Sequence, residues 1–95
     1  VDEETVNKIE KFENEFMAYP NPSKGNVNVL LFSEYETEAT VTLTDINGKT
    51  IYRGTTNLTV GKNELDYNFN VKPGVLFLKV TSQESDYGTS KILFR

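Results

Sequence analysis

Apolar and polar residues alternate strictly along several short stretches of this chain, and this pattern constrains its fold more than any other feature. In one such stretch, Ala39, Val41 and Leu43 alternate with threonines. A period of two places successive side chains on opposite faces of a β-strand, so that one face is buried and the other meets water. Similar runs begin near residues 27, 50, 65, 75 and 90, and shorter ones lie at 16–19 and 57–60. The pattern predicts an all-β chain of about seven short strands.

Glycine-containing segments separate these runs and predict the turns. Asn47-Gly48 is a strong hairpin signal, because both positions of the turn require a positive φ. In Lys72–Gly74, the proline fixes φ at one corner and the glycine adopts the positive φ at the next. Val60–Asn63 and Ser85–Gly88 are the other two predicted turns. Short strands with turns at this spacing indicate an immunoglobulin-like antiparallel β-sandwich, although the Cys…Trp…Cys pattern of antibody domains is absent.

Cysteine and histidine are both absent from the sequence. This excludes disulfides, thiolate metal sites, and the Ser-His-Asp and Cys-His types of catalysis. We therefore expect no enzyme activity and no cofactor or metal. Apolar runs are at most four residues long, as at Val29–Phe32 and Val75–Leu78, whereas a membrane-spanning helix needs about 20. No transmembrane segment is predicted.

Acidic residues are concentrated at the start of the chain. Residues 1–15 contain six acids and two lysines, which accounts for the whole net charge of −4. Residues 16–95 are neutral overall, and nothing resembles the basic face that binds nucleic acid. We interpret residues 1–15 as an acidic linker that leads into a domain spanning 16–95. An amphipathic helix is the alternative, because Ile9, Phe12 and Phe16 have helical spacing.

The first residue is valine and acids follow it, so we expect no secretory signal peptide at this position. A start other than methionine also suggests a piece of a longer protein.

Three groups of polar residues resemble functional sites, and each has a simpler interpretation. Asp45–Gly48 resembles part of a calcium loop, but it lies between two alternating runs, which favours a hairpin. Glu34, Glu36 and Glu38 include the paired carboxylates that a glycosidase uses, yet a solvated edge that discourages aggregation is simpler. Asn57-Leu58-Thr59 matches the glycosylation motif, and a chance match explains it.

The five tyrosines suggest another function, because exposed aromatic rings stack on sugars. Tyr67 alternates in phase with Leu65 and Phe69, so we expect it in the core. Tyr35 and Tyr87 lie in turn-like segments, where we expect exposed rings. An alternative function is therefore a carbohydrate-binding or adhesive immunoglobulin-like module of a surface enzyme.

Five segments together resemble the ordered motifs of one family, the type IX secretion system C-terminal sorting domain, or Por secretion tail. The segments are Tyr19–Gly25, Val41–Lys49, Gly61–Leu65, Pro73–Val80 and Lys91–Arg95. The family usually has an aromatic residue where Leu76 stands, and Phe77 follows it here. The residues that carry the resemblance are Tyr19, Pro20, Asn21, Pro22, Gly25, Asp45, Gly48, Gly61, Asn63, Gly74, Lys91, Ile92, Leu93, Phe94 and Arg95.

This resemblance implies a secretion signal without catalytic activity. It implies a cargo protein N-terminal to this chain, which passes through the periplasm and is then moved by the type IX translocon to the cell surface or medium. It also implies a sortase-like cysteine protease that removes the domain, with a cut in or near residues 1–15, and can anchor the cargo to surface lipopolysaccharide.

The terminal segment Lys91–Arg95 is the part of the chain where we expect recognition. An edge strand with unpaired backbone groups can accept a strand from a partner. We expect deletion of these five residues to abolish export and to leave most of the sandwich folded.

Overall fold

The computed structural model describes residues 16–95, which form seven strands in two antiparallel sheets. The first sheet has the order β1-β2-β5 and the second has the order β4-β3-β6-β7. In this range there is no helix, and hence none long and apolar enough to cross a membrane. The strands are β1 (Phe16–Tyr19), β2 (Asn26–Ser33), β3 (Thr37–Thr44), β4 (Thr50–Leu58), β5 (Gly61–Asn68), β6 (Gly74–Thr81) and β7 (Asp86–Phe94).

The all-β prediction is confirmed, whereas its immunoglobulin-like part stays a prediction. Lettered in chain order, the two sheets are ABE and DCFG. A constant-type immunoglobulin domain has ABED and CFG instead. The difference lies in β4, which pairs with β3 from Thr37↔Leu58 to Thr44↔Thr50.

The alternating residues of both sheets form one core between them. Val27, Val29 and Leu31 of β2 are at most 1% exposed. The alternate, buried residues of β3 and β6 face them from the other sheet. Each fully buried side chain of this size stabilises the fold by about 1.5–3 kcal/mol. The last strand contributes to this core as well, because Ile92 and Phe94 are 0% and 2% exposed.

Aromatic rings close the two open sides of the sandwich, and each lies on a glycine. Between β4 and β5, Tyr52 meets Tyr67 edge-on with 6.0 Å between ring centroids. A Cβ atom on Gly54 would collide with the Tyr52 ring. Between β1 and β7, a Cβ atom on Gly88 would lie 2.8 Å from the ring of Phe16. Both glycines therefore make room for an aromatic side chain that comes close to the backbone.

The fourth predicted turn lies three residues earlier than the sequence indicated. The chain turns at Ser82–Ser85, where the Ser82 N–H donates to the Ser85 carbonyl at 2.8 Å. Residues 86–88 belong to β7, so the prediction of a turn at Ser85–Gly88 is wrong. Tyr87, expected to be exposed, is half-buried, and its hydroxyl forms a 2.8 Å hydrogen bond with Ser33 Oγ.

Candidate functional site

The opening motif (Tyr19–Gly25) lies against the last strand, although the two are about 70 residues apart in sequence. Asn21 makes the first connection through its side-chain amide. Its Nδ2 donates to the Lys91 carbonyl at 2.9 Å, and its Oδ1 accepts from the Leu93 N–H at 3.0 Å. A primary amide carries a donor and an acceptor side by side. Asn21 therefore pairs with the edge of β7 as the backbone of a neighbouring strand would.

Ser23 continues the pairing with its own backbone. Its N–H donates to the Leu93 carbonyl at 2.8 Å, and its carbonyl accepts from the Arg95 N–H at 2.9 Å. The two prolines on either side of Asn21 have no N–H to donate. Contact with β7 is therefore made through positions 21 and 23, by a side chain and then by backbone.

This arrangement occupies the outer edge of β7 between Lys91 and Arg95. The outward-facing Lys91 carbonyl, both Leu93 backbone groups and the Arg95 N–H are all bonded to Asn21 or Ser23. The expectation of unpaired backbone groups in this segment is therefore wrong. Local sequence identified a terminal strand but gave no information about what lies beside it.

The expectation that most of the sandwich stays folded after deletion of residues 91–95 conflicts with the burial of this segment. The deletion removes Ile92 and Phe94 from the core, and large-to-small changes at such sites each lower stability by about 2–5 kcal/mol. It also removes part of the ladder with β6, which runs from Gly74↔Phe94 onward. Because the free energy of unfolding of a small domain is only about 5–15 kcal/mol, we expect the deletion to unfold the domain and to remove any signal with it.

Gly25 ends the opening motif and ties it to the first sheet. Its carbonyl accepts from the Phe69 N–H at 2.8 Å. Its φ is +133°, and a Cβ atom would lie 2.6 Å from the Phe69 carbonyl oxygen. Glycine is therefore required both by the backbone conformation and by the close approach of another chain segment.

Ser23 is a residue that the sequence analysis did not select, yet it is 1% exposed and organises this turn. Its Oγ donates to the Asn26 carbonyl at 2.6 Å and accepts from the Gly25 N–H at 3.0 Å. A serine before Lys-Gly is typical of a turn in which the side chain bonds nearby backbone. That local signal identifies the turn, but not its contact with β7.

Asp45 uses its carboxylate inside its own hairpin. Oδ1 accepts from the N–H of Asn47 at 2.8 Å and of Lys49 at 2.9 Å. The hairpin interpretation is therefore confirmed. Within residues 16–95 no group of three or more Asp, Glu, His or Cys side chains is arranged to hold a metal ion.

Asn63 stabilises the crossing from the second sheet to the first at 59–60. Its Nδ2 donates to the carbonyls of Thr59 and Gly61 at 2.9 and 3.1 Å, and its Oδ1 accepts from the Thr59 N–H at 3.0 Å. The residue is 8% exposed. Asn63 and the motif glycines support the fold. Gly25, Gly48, Gly61 and Gly74 have positive φ, which was predicted for Gly48 and Gly74. The positive φ expected at Asn47 is wrong, because every residue of 16–95 with a positive φ is a glycine.

The exposed part of this region is a mixed apolar and basic surface on the outside of β6 and β7. We call it the terminal surface and define it by Ile46, Val75, Phe77, Lys91 and Leu93. Four of these residues line a shallow groove, and Leu93 pairs with Val75 beside it. Ile46 is 73% exposed and Leu93 is 40% exposed. Three members were not selected from sequence, but an isoleucine within a turn is an apolar residue without an obvious burial site.

The tyrosines do not form a flat exposed row among the described residues. Tyr19 and Tyr35 are 43% and 45% exposed, but they lie near opposite ends of β2. Tyr67 packs against the core as predicted. Burial, together with the neighbouring hydroxyl of Tyr52, raises the pKa of the Tyr67 phenol. These positions favour a packing role for most of the aromatic residues.

The three glutamates of the predicted solvated edge are exposed around the connection from β2 to β3. Glu84 lies near them, because its Oε2 accepts from Thr37 Oγ1 at 2.9 Å. That hydrogen bond lowers the pKa of the Glu84 carboxyl. This acidic region is at the end of the sandwich opposite the terminal surface.

Comparison with known proteins gives one match. Residues 17–95 match the family model described as a secretion system C-terminal sorting domain. Neither the curated proteins nor the solved structures gave a match. The match therefore covers nearly all of the part of the chain that the structure describes.

Proposed function

Because the chain belongs to the family of type IX secretion C-terminal sorting domains, we propose that its terminal surface and opening motif together are what the secretion machinery recognises. Membership of this family indicates a sorting signal that directs export to the cell surface or the extracellular space, with a cargo protein N-terminal to it.

The pairing of Asn21 and Ser23 with β7 carries this proposal. Two motifs that are about 70 residues apart in sequence become neighbours on one surface. This surface exists only when the domain is folded, since its hydrogen bonds join the first and last parts of the domain. A receptor that binds it therefore distinguishes a folded signal from an unfolded chain.

The remaining steps of the proposal come from the family resemblance. The cargo passes through the periplasm and reaches the type IX translocon, and a sortase-like cysteine protease then cuts in or near the acidic linker 1–15. The same enzyme can anchor the cargo to the surface. Such a partner supplies the nucleophile, which agrees with a signal that contains neither cysteine nor histidine.

An export assay tests the sorting function. Residues 1–95 are fused behind a periplasm-directed fluorescent reporter in a host with a working type IX system. We expect reporter on the surface or in the medium, and its loss in a translocon-deficient strain. Reporter that stays in the periplasm, with the fusion intact and folded, would overturn the proposal and favour the carbohydrate-binding or adhesive module.

Two single variants of that fusion test the location of the site. Leu93→Ser changes an exposed residue of the terminal surface, and Val60→Ser changes a more exposed apolar residue at the opposite end. We expect the first to reduce export and the second to leave it unchanged, with both domains folded by circular dichroism. Equal export of the two variants would place recognition elsewhere.

A further inference from the structure

Opposite charges lie at opposite ends of the sandwich, although residues 16–95 are neutral overall. We call one end of the sandwich the terminal end. It holds the turn at 23–25, the hairpin turn at 45–49, the connection 69–73 and residue 95. The other end, with the connections 34–36, 59–60 and 82–85, is the linker end, because β1 enters there beside Leu31. The bases of the terminal end are Lys24, Lys49, Lys72 and Arg95, and its one acid in these segments is Asp45. The linker-end connections have Glu34, Glu36 and Glu84, with Glu38 and Asp86 in the adjoining strands. Lys62 is a base at the same end, and it forms an ion pair with Glu64.

The bases of the terminal end are brought together by bonds already described. Ser23 bridges to Phe94, and Gly25 bonds to Phe69, so the segments that carry Lys24, Lys72 and Arg95 meet at one place. The hairpin turn with Lys49 stands beside them, because its strand β3 ends opposite Phe77 of β6. The grouping is therefore a property of the fold and not of the local sequence.

These bases are not used in ion pairs within the part of the chain that the structure describes. The salt bridge found there joins Lys62 and Glu64 at 3.6 Å. The nearby Asp45 directs one carboxylate oxygen to two backbone N–H groups of its own turn. The positive charge of the terminal end is thus exposed and without an acidic partner from residues 16–95.

The basic end also adjoins the exposed apolar groove of the terminal surface. Ile46 projects from the same hairpin turn that carries Lys49, and Lys91 lines the groove beside Phe77. Asp45 and Asn47 also line the groove, and Asp45 Oδ1 accepts two backbone hydrogen bonds within its own turn. An exposed apolar patch bordered by charges is typical of a protein interaction site. A partner that fits it offers an apolar residue for the groove and carboxylates for the surrounding lysines and arginine.

We infer that the terminal end docks onto an acidic protein surface whose carboxylates surround an apolar centre. This inference rests on the proposed sorting function and specifies the chemistry of the receptor. Complementary charges accelerate the encounter of two proteins and fix their relative orientation, and repulsion between like charges disfavours the wrong orientation. The acidic linker end is repelled by the same receptor, so the domain docks with its C-terminal residues first and its cargo directed away.

A matched pair of charge-reversal variants of the residues 1–95 reporter fusion tests the inference. The first is Lys24→Glu with Lys49→Glu and Lys72→Glu, and all three side chains are exposed at the terminal end. The control reverses three exposed bases away from that end, Arg53→Glu, Lys62→Glu and Lys79→Glu, and gives the same net charge. We expect export of the first to fall about tenfold or more and that of the control to stay within about twofold of the parent. Circular dichroism confirms that both remain folded.

Each outcome has a distinct meaning. If the parent fusion is exported independently of the translocon, the sorting function itself fails. If the parent depends on the translocon and both variants are exported equally, the sorting function stands and acidic docking is refuted. Vesicles of phosphatidylglycerol with lipopolysaccharide test the other source of negative charge. Binding of the parent chain to them that is lost in the first variant would assign the basic end to a membrane surface and overturn the protein-docking inference.

Discussion

Replacement of Asn21 by alanine tests the junction between the opening motif and the last strand. The variant loses two hydrogen bonds, at 2.9 and 3.0 Å, to the backbone of Lys91 and Leu93. Each such bond contributes about 0.5–1.5 kcal/mol net. Because the site is exposed and water replaces part of the loss, we expect the free energy of unfolding to fall by about 1–2 kcal/mol. The two backbone bonds of Ser23 remain, so the domain still folds.

Urea unfolding followed by far-ultraviolet circular dichroism measures this loss. The midpoint should fall while the slope stays constant, since the native surface is unchanged. The melting temperature should fall by about 4–8 °C for each kcal/mol in a domain of this size. Asn57→Ala, on the exposed face of β4, is the control and should remain within about 0.5 kcal/mol of the parent. If Asn21→Ala is as stable as this control, the amide does not hold the junction and the reasoning is refuted.

Other substitutions separate packing, backbone and pH effects. Gly25→Ala should lower the free energy of unfolding by at least about 2 kcal/mol, and Gly48→Ala by about 1 kcal/mol. The reason is that a Cβ atom meets the Phe69 carbonyl at the first site and nothing within 4 Å at the second. If urea unfolding gives equal losses of stability for the two variants, the close approach at Gly25 is contradicted. Phe94→Ala should lower the free energy of unfolding by about 3–5 kcal/mol, and Leu93→Ala, at its exposed neighbour, by less than about 1 kcal/mol. An unchanged stability of Phe94→Ala would show that the last strand is not part of the core. The raised pKa of Tyr67 means that its stabilising effect is complete below the phenol's ordinary pKa and is lost as pH rises through the higher folded value. Melting temperatures across this alkaline range should therefore fall more in the parent than in Tyr67→Phe, and parallel curves would rule out this linkage.

Most of the strands were predictable because one signal, the period of two, indicates both a strand and its buried face. The start of β4 is an exception, because Thr50–Arg53 are all exposed. Val41 and Leu43 are buried and their threonine neighbours are not, as the alternation indicated. The error at Ser85–Gly88 has a specific reason. Gly88 resembles a turn residue, yet it lies within β7, where the absence of a Cβ atom makes room for the ring of Phe16. Sequence alone did not distinguish a glycine needed for packing from one needed for a turn.

The junction was not predictable, because no local pattern reports a partner about 70 residues away. Prolines flank Asn21 and cannot donate to a sheet ladder, which is consistent with the place of this segment at an edge. Which edge it covers depends on the order of the strands in both sheets. The family resemblance grouped both motifs, and the matching family model spans both. Only the fold shows that Asn21 and Ser23 cover the edge of β7, which was expected to be open to a partner.

The contact between Ser23 and Phe94 also shows that the first and last segments of this domain have to come together before its fold is complete. β6 pairs with β3 on one side and with β7 on the other, so the second sheet stays incomplete until residues 86–94 have paired. Pairing between such distant segments is slow, because a long loop has to close before the contacts form. A chain that ends prematurely, before Ile92, lacks the last core residues and cannot present the folded surface. The terminal surface therefore depends on an intact last strand, and a domain clipped within β7 loses its surface together with its core.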